Sequence, residues 1–227
     1  MKEKFVSWNK VIFALDVDSL NDAAKLTKKF ENKIKFYKIG LQLFTQCGKA
    51  AVEKVHMTGA RVFLDLKFHD IPNTVAKASE NATELGVFMF NVHAQGGLEM
   101  MRAAKEASLK KAKTLGIKPP KVLGVTLLTS LNESALKNEL KVNKKMDDYV
   151  VMLAKLAKRA GLDGVVASAH EAKKIRKPCG KNFLIVTPGI RLDKGSAQDQ
   201  KRVATPGEAF DAGADYIVMG RALLKEG

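Results

Sequence analysis

FLDLKFHDIPNTV, residues 63–75, begins as a buried strand and then departs from one. Apolar residues run in from Val62, but Asp65 and Lys67 interrupt them and Asp70 follows three residues later. Side chains two apart on a strand share a face, about 7 Å from one another. Asp65 and Lys67 therefore point the same way, and Asp70 starts the following loop. Beyond it TVAKASENATEL (74–85) carries a helical apolar pattern. The stretch reads as one strand–helix unit with charge at the strand's carboxyl end.

The same unit recurs along the chain. Short apolar runs lie at VIFALDV (11–17), IKFYKIG (34–40), RVFLDLK (61–67), VFMFNVHA (87–94), KVLGVTLLT (121–129), GVVASA (164–169), FLIVTPGI (183–190) and DYIVMG (215–220). Each is too short for a typical helix and nearly continuous in apolar character, as a parallel strand covered on both faces would be. Between them lie amphipathic stretches such as LNDAAKLTKKF, LEMMRAAKEASLKKAKTLG and DDYVVMLAKLAKRAG. Thr205-Pro206-Gly207-Glu208 reads as a capping box with proline at the first helical position. Gly59, Gly86, Gly116, Gly161 and Gly213 are placed to end helices. Eight alternating units without a GxGxxG fingerprint predict an α/β fold closed as a (β/α)8 TIM barrel rather than an open doubly wound sheet. Only RALLKEG follows the eighth strand, so the eighth helix is short, missing or supplied otherwise.

With 227 residues, 46% of them hydrophobic, the chain can bury a large core. Such barrels reach about 250 residues as one unit, and no Pro-, Ser- or Gly-rich linker divides this one, so residues 1–227 are expected to form a single domain. The first residues, MKEKFVSWNK, lack the apolar centre of a signal peptide. No run approaches the roughly 18 apolar residues of a membrane span. Cys47 and Cys179 share no ligand spacing, and two reduced thiols in a cytoplasmic protein is the simple expectation. The net charge of +15 raises a nucleic-acid reading. Against it, the lysines are scattered over helical surfaces among acids, and the Phe residues lie within apolar runs rather than between basic ones. An anionic small molecule would account for part of the charge equally well.

Active sites of these barrels lie at the carboxyl ends of the strands. Those ends carry Asp16, Lys38, Asp65 with Lys67, His93, Thr129, Arg191 and Arg221. Lys38 can reach between its neighbours, giving the alternation Lys38, Asp65, Lys67, Asp70. Neighbouring ammonium groups keep a buried carboxylate ionised, where an isolated one would protonate. A structural ion-pair network is the alternative, although apolar packing would serve stability better. The loops after strands seven and eight often hold phosphate in this architecture. Here they offer Pro188-Gly189-Ile190-Arg191 and Met219-Gly220-Arg221, with glycines that admit a ligand to the backbone and arginines that fork onto phosphate oxygens. RLDKGSAQDQKRVA (191–204) is a candidate lid, with Gln200 able to donate to phosphate, or else a solvated loop. His56, His69, His93 and His170 lack ligand spacing, and no metal site is expected.

In order along the chain, ALDVD, YKIG, DLKFHDIPNT, VHAQGG, VTLLTS, TPGIR, DQKRVATP and GADYIVMGR resemble the orotidine 5′-phosphate decarboxylase family in its bacterial branch. The resemblance spans essentially the whole chain, and the DxKxxDIPNT segment is highly specific. It implies decarboxylation of orotidine 5′-monophosphate to uridine 5′-monophosphate (UMP) in pyrimidine synthesis, with no metal and no organic cofactor. By the same resemblance Asp16 binds the ribose hydroxyls, Lys38 contacts ribose, and Asp65 and Lys67 sit beside pyrimidine C6 and its carboxylate. Thr129 contacts the base, and Arg191, Gln200, Gly220 and Arg221 grip the phosphate. Asp70 and Thr74 enter the neighbouring subunit's site, which implies a homodimer with shared sites. A metal-dependent sugar-phosphate decarboxylase or aldolase on the same barrel is the enzymatic alternative. It would want a carboxylate on strand two, where this chain has Lys38. A basic nucleic-acid-binding protein is the non-enzymatic alternative.

Overall fold

Near-continuous apolar strands need cover on both faces, and here they find it by closing on themselves inside a layer of helices. The computed structural model describes residues 7–192, 203–220 and 223. Its strands are β1 (Val11–Ala14), β2 (Phe36–Gly40), β3 (Arg61–Phe68), β4 (Met89–His93), β5 (Lys121–Val125), β6 (Gly164–Val166), β7 (Leu184–Thr187) and β8 (Tyr216–Met219). They pair in parallel in chain order, and β8 returns to β1, completing a (β/α)8 TIM barrel. Around them lie α1 (Leu20–Phe30), α2 (Leu41–Cys47), α3 (Lys49–His56), α4 (Pro72–Glu84), α5 (Gly97–Leu115), α6 (Glu133–Asn138), α7 (Met146–Arg159), α8 (Ala169–Cys179) and α9 (Pro206–Asp211).

All eight expected strands are present, several of them shorter than the apolar runs. The run 183–190 yields only β7, because Pro188 has no N–H to offer a ladder. The run 164–169 yields only β6, because Ser168 turns away to cap α8: its side chain accepts from His170 N–H, and its own N–H donates to Glu171. Between β2 and β3 the chain makes two helices, α2 and α3, meeting at Gly48 with φ 55°. The capping box at Thr205 forms as expected, with the Thr205 hydroxyl accepting from Glu208 N–H at 3.3 Å and Thr205 N–H donating to the Glu208 carboxylate at 2.9 Å. Gly116 closes α5 in the left-handed region at φ 64°. The segment for an eighth helix falls on 221–227, of which Leu223 alone is described, and it is buried.

Strand parity divides the core in two. Outward residues such as Phe13, Tyr37, Val62, Leu64, Phe90 and Ile185 pack under the helices. Inward residues Ile12, Phe36, Phe63, Met89, Leu123, Val186 and Val218 fill the barrel itself. At its amino end Phe36, Phe88 and Tyr216 meet edge to face or tilted, with the Arg61 guanidinium over the rings of Phe36 and Phe88. That apolar floor leaves the inward positions at the carboxyl end as the place where polar side chains can gather over open solvent.

Candidate active site

Inward parity brings Lys38 from β2, Asp65 from β3 and Asn91 and His93 from β4 to the carboxyl end of the barrel. Asp16 stands two residues beyond β1. The charged groups form a line. Lys38 Nζ lies 2.9 Å from Asp16 Oδ1 and 3.6 Å from Asp65 Oδ2, and Lys67 Nζ donates to Asp65 Oδ1 at 2.7 Å. The Lys38 and Asp65 side chains keep only 13% of their surface, whereas Asp16 keeps 48% and fronts the opening. The order is thus Asp16, Lys38, Asp65, Lys67: two acids and two bases alternating across three strands.

The fourth member expected from sequence, Asp70, does not join this line within one chain. Asp70 is exposed on the loop after β3, and its Oδ1 accepts from Ile71 N–H at 2.7 Å. No ion pair joins it to Lys67 within the chain; Asp16 supplies the second acid instead. The reason is geometric. Asp70 lies past the strand end, where the loop turns outward into α4, while Asp16 comes in across the β1–β2 pairing.

Lys67 itself sits in unusual backbone. The β3–β4 register runs Phe63 to Met89 and Leu64 to Phe90, then resumes with Phe68 opposite Val92. Residues 65–67 form an irregularity in the ladder, and Lys67 adopts φ 53°. A side-chain-bearing residue in the left-handed region is strained by about 1–3 kcal/mol, and such strain concentrates at functional sites. Asn91 spans the gap: its Oδ1 accepts from Lys67 N–H at 2.8 Å and its Nδ2 donates to Asp65 Oδ1 at 2.7 Å. The sequence reading passed over Asn91. A polar residue at inward parity between Met89 and His93 was the available signal.

His93 completes this wall. Its ring centroid is 5.2 Å from that of His69, and its buried Nδ1 has no hydrogen-bond partner among the described residues. Burial first, then the neighbouring His69 and Lys67, push its pKa down to about 4 against the pull of Asp65. The imidazole is neutral at neutral pH and adds no charge beside Lys67.

The remaining candidates that the structure describes lie in the segments that follow β3, β5, β7 and β8. Thr129 is half-buried in the turn after β5, and Thr74 is exposed in the first turn of α4. Arg191 follows β7, where its backbone N–H donates to Ala204 carbonyl at 3.0 Å and Ile190 bridges Ala204. This pairing pins the two feet of the 191–204 loop together. Gly220 ends β8 so close to β1 that a Cβ there would stand 3.5 Å from Ala14 Cβ and 3.8 Å from Asp16 Oδ2. Gln200 and Arg221, with most of the candidate lid, lie outside the described residues. Among the described residues no group of three or more His, Cys, Asp or Glu side chains is disposed to hold a metal ion, and no helix is long and apolar enough to cross a membrane. A half-buried ammonium fixed against a carboxylate at the barrel mouth can stabilise a developing anion and deliver a proton to it.

Comparison with known proteins agrees over nearly the full length. Residues 9–227 match the model of the orotidine 5′-phosphate decarboxylase / HUMPS family. The chain is 51% identical over 214 residues to an orotidine 5′-phosphate decarboxylase of Geotalea uraniireducens, covering 94% of this chain and 88% of the relative. It is 48% identical over 217 residues to that of Syntrophomonas wolfei, covering 95% and 91%. Among solved structures, orotidine 5′-phosphate decarboxylase from Lactobacillus acidophilus superposes with a TM-score of 0.82 at 39% identity, covering 94% of this chain and 90% of that one.

Proposed function

The chain belongs to the orotidine 5′-phosphate decarboxylase / HUMPS family and decarboxylates orotidine 5′-monophosphate to UMP; from that premise we propose that Lys67 carries the chemistry. The C6–carboxylate bond breaks, carbon dioxide leaves, and the electron pair stays on C6. No neighbouring carbonyl delocalises a vinyl-type carbanion, so a fixed cation must stabilise it electrostatically. The Lys67 ammonium then transfers a proton to C6, giving UMP, and the amine regains a proton from solvent. The single observation behind this reading is the 2.7 Å contact that holds Lys67 Nζ on Asp65 at the barrel mouth.

The other residues bind and orient. Asp16 and Lys38, joined at 2.9 Å, suit the ribose hydroxyls. Thr129 suits the base, and Arg191, Gln200, Gly220 and Arg221 suit the phosphate, with residues 191–204 folding over it. Binding energy from the phosphate would then help assemble the reacting centre. Asp70 and Thr74 act in a second copy's site, making a homodimer. Support comes from the rim itself: both residues are exposed, as is Ile71 at 67%, an apolar side chain between the strand end and α4. We read residues 1–227 as one domain working in the cytoplasm.

A metal-dependent reaction on a sugar phosphate fits less well, because the Lys38 ammonium stands between the carboxylates of Asp16 and Asp65 that a cation would need. The test is direct. Purified protein is mixed with orotidine 5′-monophosphate and a chelator, and loss of the orotate chromophore is followed. Steady decay is expected; none at micromolar enzyme would overturn the assignment.

A further inference from the structure

We propose that Asn91 is a positioning residue for decarboxylation, its amide holding Lys67 by the backbone and Asp65 by the carboxylate so that ammonium and C6 meet in one geometry. The inference rests on Lys67 being the proton donor. Where β3 departs from regular pairing, Lys67 N–H is taken by Asn91 Oδ1 at 2.8 Å. A backbone N–H can only donate, so Oδ1 must face it and Nδ2 must face the acid, which it meets at 2.7 Å. The same Asp65 oxygen accepts from Lys67 Nζ at 2.7 Å. The amide, the carboxylate and residue 67 therefore form a closed ring of three hydrogen bonds.

Asn91 is fully buried, and its neighbours explain why a residue that both accepts and donates stands there. An aliphatic side chain would leave Lys67 N–H and one Asp65 lone pair unsatisfied away from water. An aspartate would accept from the N–H but set a second carboxylate against Asp65. The ring also explains how Lys67 keeps φ 53°: the strained conformation is retained because two hydrogen bonds from a rigid strand determine it. Without them residue 67 can relax toward extended backbone, and its Cα–Cβ vector swings away from the mouth.

Two variants test this, each assayed with orotidine 5′-monophosphate across pH. Asn91→Ala is expected to lower kcat about 100-fold, the scale of a displacement near 1 Å, while KM stays within about threefold because phosphate and ribose contacts are untouched. Asn91→Asp is expected to be slow at neutral pH and to recover relative to the parent as pH falls. The introduced carboxyl faces Asp65 and Lys67, with Lys38 and His93 beyond them, and once protonated it donates to Asp65 as the amide did. A folded Asn91→Ala protein with parental kcat would overturn the proposal. Should that variant not fold, an Asn91→Asp protein whose rate relative to the parent is flat with pH would do so. Lys67→Met run in parallel separates the two ideas. If it retains activity, the reading of Lys67 fails; if it is inactive while Asn91→Ala is not, only the role of Asn91 fails.

Discussion

Lys38 Nζ stands 2.8 Å from the point a Cβ on Gly40 would occupy, two residues along the same strand. Inward parity places both over the barrel mouth, and only the absence of a side chain at 40 lets the ammonium lie between Asp16 and Asp65. The YKIG segment is thus a lysine together with the space it needs. Gly40→Ala should push aside the flexible end of Lys38 rather than the backbone, because Gly40 has an ordinary φ of −95°. Activity is expected to fall about tenfold or more through misplacement of the charge, with the melting temperature nearly unchanged. Steady-state kinetics beside a thermal melt check both halves.

Lys67→Met removes the proposed proton donor and keeps the apolar stem. A positioned acid contributes about 10²–10⁴-fold, and loss of the charge that stabilises the carbanion adds to it, so kcat should drop by at least about 10⁴-fold. Affinity for UMP, measured by calorimetry, should change far less.

Strain at position 67 is separable from chemistry. Lys67 has φ 53°, and the left-handed region disfavours side-chain-bearing residues by about 1–2 kcal/mol. Lys67→Gly should therefore be more stable than Lys67→Ala by about 1 kcal/mol, although both are inactive. Denaturant unfolding of the pair reads the difference, and equal midpoints would count against strain there.

The partner's contribution can be tested by mixing. Lys67→Met and Asp70→Asn homodimers should each be nearly inactive, although Asp70 makes no ion pair with Lys67 of its own chain. Unfolded together and refolded as an equal mixture, about half the dimers are hybrid, each with one intact site. Recovery of about a quarter of parental activity is expected. No recovery would place Asp70 in its own chain's site, and an active Asp70→Asn homodimer would place it outside both.

Acid sensitivity should trace in part to His93, whose pKa lies near 4 in the fold against an ordinary 6.5. Between those values the unfolded chain binds a proton that the folded chain refuses, so stability is complete above about pH 6.5 and is lost as pH falls toward 4. The loss over this window is on the order of 1 kcal/mol, because solvent reaches part of the ring and screens the interaction. His93→Gln should flatten that part of the pH–stability curve, measured by denaturant midpoints at several pH values.

The β3 segment shows where sequence reading stops. That Asp65 and Lys67 share a face follows from strand parity, a property of a few adjacent residues. The eight apolar runs, likewise local, were enough for a closed α/β barrel and for placing Lys38, Thr129, Arg191 and Gly220 at strand ends. Asp16 was legible as a strand-end acid, but its place in the charged line instead of Asp70 was not, since it depends on how β1 meets β2. The left-handed turn at Lys67 and the amide of Asn91 across from it were equally out of reach. Both arise from a register change between β3 and β4, and a register is agreed between segments distant in sequence. The chain alone determined the barrel and that Asp16, Lys38, Asp65 and Lys67 would lie at the carboxyl ends of its first strands. The tertiary structure decided their order and what holds them, because hydrogen bonds and ion pairs between strands act over a few ångströms fixed only when the barrel closes.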